Sequence, residues 1–115
     1  VARAALDGAM RATLHQLEQT IRQRRAADPS LSYVAKLSAR GRGKIAQKVG
    51  EEAVETVIAA LSGDIAETTA EAADLLFHLI LLLVDTGVSL DDVLDELDRR
   101  EGVSGLTEKA SRPAD

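Results

Sequence analysis

The feature that most limits what this chain can fold into is the stretch at residues 75–84, ten positions without a charge, interrupted only by His78 and closed by Asp85. Leucine, isoleucine, valine and phenylalanine there cover every face of a helix, whereas a helix on the surface of a small protein shows one apolar stripe. Such a segment belongs at the centre of a bundle or at an interface between subunits. It is also a poor membrane span, because the run is too short and is broken by a histidine.

The rest of the chain reads as helices around that segment. Met10, Leu14, Leu17 and Ile21 recur at helical spacing and predict a first long helix, capped by Asp7 and ending before Asp28-Pro29. Ser32 predicts the cap of a short helical turn through Tyr33, Ala35 and Leu37, broken at Gly41 and Gly43 to give a flexible basic connector. A second long helix is expected from about Lys44, with Ile45, Val49, Ala53 and Ala60 as its stripe and Val57 and Leu61 beside it, up to Ser62-Gly63. Asp64 and Glu67 form an acidic capping box for a third, Ile65 to Thr86, closed by Gly87. Ser89 and Asp92 start a fourth that carries Val93, Leu94 and Leu97 as far as Arg100, before an extended tail at 104–115. No stretch alternates with strand period. The expectation is one all-α domain over residues 1–115, with four main helices in a bundle that a second copy completes.

Charge is segregated along this framework. Lys36, Arg40, Arg42, Lys44 and Lys48 follow one another with no acid among them, and thirteen acids then lie between Glu51 and Asp98 with no Lys or Arg. The net charge of −5 and the presence of only one Tyr, one Phe and no Trp argue against a nucleic-acid polymer as partner, which needs a basic surface or stacking rings. The absence of Cys excludes disulfides, thiolate metal sites and a Cys nucleophile. With no signal-like segment at the N-terminus, the chain is expected to be cytoplasmic.

Five of the acids fall into a pattern. Glu52 and Glu55 lie about 60° apart on the second long helix beside its stripe, with Glu51 flanking them, and Glu71 and Asp74 are related in the same way on the third. Antiparallel packing of the two stripes would bring four carboxylates to one level. Two carboxylates ~6 Å apart repel by roughly 3 kcal/mol at an effective dielectric near 20, so the arrangement calls for a cation. Oxygen-only ligation suits Mg²⁺, with Mn²⁺ as substitute. A di-iron carboxylate site would need Glu-x-x-His pairs, which are absent here.

The E-E-x-x-E of Glu51, Glu52 and Glu55, followed by the E-x-x-D of Glu71 and Asp74, resembles the metal-binding signature of the MazG-like all-α nucleotide pyrophosphohydrolases. Within that superfamily, S-Y-V-A-K-L at 32–37, K-I-A-Q-K-V-G-E-E-A-V-E at 44–55, D-L-L-F-H-L at 74–79 and R-E-G-V-S-G-L-T-E-K-A-S-R at 100–112 resemble the phosphoribosyl-ATP pyrophosphohydrolases of histidine biosynthesis. The resemblance covers residues 14–112; residues 1–12 match nothing in it, and the loop at 40–43 is more basic and glycine-rich than the family pattern. It implies Mg²⁺-dependent hydrolysis of phosphoribosyl-ATP to phosphoribosyl-AMP and pyrophosphate by a free-standing, homodimeric enzyme. It also implies Glu52, Glu55, Glu71 and Asp74 as metal ligands, with Glu51 as a further ligand or as the group that orients the attacking water. Two other readings stand beside it: a hydrolase of other nucleoside triphosphates, and a non-catalytic helical dimerisation module.

Cations complete the picture. Lys36, Lys44 and Lys48 are candidates for substrate phosphates, with Lys48, four residues before Glu52, equally suited to an ion pair with it. Lys109 and Arg112 join them if the tail folds over the site, and Arg40 and Arg42 are weaker candidates. His78, among leucines, reads as a core or interface histidine bonded to a carboxylate. Tyr33 either stacks on an adenine or packs in its connector.

Overall fold

A computed structural model describes residues 2–101, less the side chains of 2–7 and of Met10. Over these residues the chain is five helices, α1 Ala2–Arg24, α2 Tyr33–Ala39, α3 Arg42–Ser62, α4 Ile65–Thr86 and α5 Leu90–Arg100, with no strand. Three of the expected caps form as chemistry dictates. The Ser32 hydroxyl accepts from the Ala35 N–H at 3.2 Å, the Asp64 carboxylate from Glu67 N–H at 2.9 Å, and the Ser89 hydroxyl from Asp92 N–H at 3.1 Å. The tail at 104–115 lies outside the described residues.

Two boundaries differ from the sequence reading. Asp7 does not cap α1, because the helix already begins at Ala2. The connector before α3 shrinks to Arg40 and Gly41. Gly41, at φ 94°, makes the turn by itself in a region that only glycine enters cheaply, so Gly43 is free to be helical and α3 starts at Arg42.

Helices α3 and α4 form an antiparallel hairpin. Gly63 at φ 80° and Asp64 make its two-residue turn, and at the far end Arg42 Nε donates to Asp85 Oδ2 at 2.8 Å. Asp85 also accepts from Arg25 at 2.9 Å, so one carboxylate ties α1, α3 and α4. Ile80, Leu81 and Val84 of α4 pack with Ile21, Val34, Leu37, Ile45 and Leu90, which places the all-apolar segment at the centre of the protomer. Buried Glu18 of α1 reaches across to accept from the Leu90 N–H at 2.9 Å, occupying a free donor at the start of α5. His15 and Arg11 pair with Asp91 and Asp98 on the same helix.

The expected stripe of α3 is only partly buried. Ile45, Glu52 and Ala59, spaced two turns apart, are its buried residues. Val54, Val57, Ile58 and Leu61 form a second line, 57–84% exposed, and Ile65, Leu76 and Leu79 are exposed on α4. A single neighbouring helix covers one face only, and the other apolar face of the hairpin is left bare. Among the described residues no single helix is long and apolar enough to cross a membrane.

Candidate metal centre

The seven-residue spacing that turns Ile45 and Ala59 inward turns Glu52 the same way, which is why this acid is buried. Glu55 follows one turn later, and Glu71 approaches from α4. One carboxylate oxygen from each of the three lies within 4.8 Å of the others. The Oε2 atoms of Glu52 and Glu71 are buried without any hydrogen-bond partner. A buried, unpaired carboxylate oxygen is costly, and three acids in contact compound the cost. An oxygen-only set of this kind fits a hard divalent cation, the species that would satisfy both orphaned atoms and cancel the repulsion.

The electrostatics follow from the same crowding. Burial, and then the neighbouring Glu55 and Glu52, push the Glu71 carboxyl up to about 7. Burial works against ionisation of Glu52 as well, but the Lys48 ammonium and hydrogen bonds from Glu71 and Glu55 outweigh it and hold that carboxyl below the usual range. The trio therefore keeps a proton near neutrality, carried by Glu71.

Asp74 stands outside the three-oxygen set. Antiparallel packing carries each step forward along α4 backward along α3, so the turn from Glu71 to Asp74 leads toward Lys48 and away from Glu55. Glu51, exposed, accepts from Gln47 Nε2 at 2.7 Å. Lys48 lies 3.3 Å from Glu52 and 3.5 Å from Glu51, so it is the counter-ion of the acids on its own helix. Lys44 is half-buried and its charge helps keep Glu51 ionised. Lys36 is exposed and lines a cavity of about 550 Å³ with Tyr33. Arg42 is engaged by Asp85, and Arg40 is the C-cap of α2. Lys109 and Arg112 lie outside the described residues.

His78 does not bond a carboxylate. Its Nδ1 lies 2.7 Å from the backbone carbonyl of Asp74 and its Nε2 2.7 Å from the Tyr33 hydroxyl. A carbonyl only accepts, so Nδ1 donates to Asp74, while Nε2 is hydrogen-bonded to the tyrosine hydroxyl. The link between Tyr33 and His78 is the one the sequence reading missed. The four-residue step from Asp74 to His78 was the available signal for half of it, since a helical side chain reaches back to the carbonyl four residues earlier.

The profile of the family described as phosphoribosyl-ATP pyrophosphohydrolase matches residues 14–101. The chain belongs to the phosphoribosyl-ATP pyrophosphohydrolase family. It is 69% identical over 104 residues to a phosphoribosyl-ATP pyrophosphatase of Rhizorhabdus wittichii, covering 90% of this chain and 98% of that one. Similar family members occur in Erythrobacter litoralis, 65% identical over 87% of this chain and 96% of the relative, and in Novosphingobium aromaticivorans, 64% identical over 86% and 92%. All five helices fall within or overlap the matched residues, and the carboxylate hairpin lies wholly inside them.

Proposed function

We propose that the chain hydrolyses phosphoribosyl-ATP to phosphoribosyl-AMP and pyrophosphate, the reaction of histidine biosynthesis, at the carboxylates of the α3–α4 hairpin. The observation that carries the reading is the cluster of Glu52, Glu55 and Glu71 with two buried oxygens left unpaired, in a chain of this family. Those three residues would hold Mg²⁺, or Mn²⁺ in its place, with Asp74 as a further ligand from the next turn. When bound, the ion supplies charge neutralisation on the polyphosphate and a water acidic enough to attack. The residues prepare that chemistry. Glu71 would give up its proton on becoming a ligand, and Glu51, exposed beside Glu52, would serve as a further ligand or orient the attacking water. Lys48 would exchange Glu52 for a phosphate oxygen, Lys36 and Lys44 would extend the positive rim toward the rest of the substrate, and Lys109 and Arg112, outside the described residues, are further candidates for its phosphates.

The working unit in this proposal is a homodimer. Val54, Val57, Ile58 and Leu61 with Ile65, Leu76 and Leu79 leave an apolar face on the hairpin, and a second copy offers a matching one. Pyrophosphate release from phosphoribosyl-ATP with Mg²⁺ is the direct test. Turnover of deoxynucleoside triphosphates without turnover of phosphoribosyl-ATP would replace this substrate with the general one, and a Glu52→Gln, Glu71→Gln variant that bound Mn²⁺ like the parent would remove the metal site.

A further inference from the structure

The one tyrosine and the one phenylalanine of the chain meet at one point, beside a histidine. The centroids of the two rings are 6.2 Å apart, and His78 stands edge-on to both, 5.7 Å from Tyr33 and 5.3 Å from Phe77. His78 is 5% exposed, yet Tyr33 is 50% exposed. A ring kept for packing buries itself; this one is supported from behind with half its surface in water.

Its position is fixed from both ends. Tyr33 is the first residue of α2, immediately after the Ser32 cap, and its hydroxyl is tied to His78, itself anchored to the Asp74 carbonyl. Concavities of about 450 and 550 Å³ border it, both lined by Leu31, Ser32 and Tyr33, the first also by Phe77 and the second by Lys36. The charged groups of the hairpin are near: Lys48, Glu52 and Asp74 all act electrostatically on the Tyr33 hydroxyl. His78 lies seven residues after Glu71, about 10 Å along α4. A flat, pinned, half-exposed ring beside the charged groups of the proposed polyphosphate site suits the base of a nucleotide.

We infer that Tyr33 is the stacking platform for the purine ring of the substrate, held in place by His78 as a positioning residue. The inference rests on the nucleotide reading above and adds to it the group that seats the base. Stacking on an aromatic side chain contributes enough that its removal weakens binding by about tenfold or more.

The chain itself supplies the reporter, because with one Tyr and no Trp its intrinsic emission comes from Tyr33 alone. In the presence of Mn²⁺, AMP should quench that emission after correction for absorption, while pyrophosphate and ribose 5-phosphate should not. By calorimetry, Tyr33→Leu should weaken AMP binding by about tenfold and leave pyrophosphate and Mn²⁺ binding unchanged, whereas Tyr33→Phe, which keeps the ring, should stay within about threefold of the parent. AMP binding that leaves the emission unmoved, or an AMP affinity indifferent to Tyr33→Leu, overturns the platform while leaving the hydrolase reading intact. Emission of the free protein that acrylamide cannot reach, the sign of a tyrosine covered by a second copy, overturns it too. A parent protein that binds neither AMP nor pyrophosphate overturns the nucleotide reading and this inference with it.

Discussion

Glu52 and Glu71 show how far a single residue can be read. Helical spacing alone puts Glu52 beside an apolar stripe, but its burial comes from standing in line with Ile45 and Ala59 on the buried face of α3. For Glu71 the consequence is a pH dependence with a definite sign. Its folded carboxyl titrates at about 7 against an ordinary 4.5, so between these values the folded state binds more protons than the unfolded one. The metal-free protein should therefore lose stability as pH rises from about 4.5 to about 7, and Glu71→Gln should flatten that part of a plot of melting temperature against pH. Added Mn²⁺ should reverse the loss at the upper end, because ligation replaces the proton. A melting temperature indifferent to pH over this window in the metal-free parent would contradict the assignment of the proton to Glu71.

At the scale of elements, the boundaries were legible where the cap is a side chain. Ser32, Asp64 and Ser89 each satisfy the N–H three residues on, a bond local enough to be written in sequence. They were not legible where geometry chooses between equivalent residues: either Gly41 or Gly43 could have broken the chain, and only Gly41 takes a positive φ. Gly63 is the corresponding residue of the hairpin. Nothing stands within 4 Å of the position a Cβ would take there, so Gly63→Ala should cost only the backbone strain, about 1–2 kcal/mol in chemical denaturation. Glu18 was invisible to pattern reading, since an acid in an amphipathic helix is ordinarily solvated. Its bond to the Leu90 N–H joins α1 to α5, and Glu18→Ala should destabilise by about 1–3 kcal/mol by leaving that buried donor unpaired. An unchanged denaturation midpoint would show that water replaces the carboxylate.

For the molecule as a whole, the bare face of the hairpin is the deciding property. Val57 and Ile58 are 57% and 60% exposed, so neither contributes much to the protomer's own core. Ile58→Asp should thus leave the helical content intact and shift sedimentation from dimer to monomer at micromolar concentration, whereas a parent that sediments as a monomer throughout would show that the face serves something else.

What the sequence determined by itself is whatever depends on neighbours along the chain: five helical segments, three side-chain caps, the apolar character of residues 75–84 on every face, and two pairs of acids on two successive helices. What only the tertiary structure decided depends on how two helices register against each other. Antiparallel packing brings Glu52, Glu55 and Glu71 within 4.8 Å and leaves Asp74 a turn further on, and it sets His78 behind Tyr33 across forty-five residues of chain. Helical periodicity fixes angles around one axis; the offset between two axes is set by core packing, and the chemistry of this site lies in that offset.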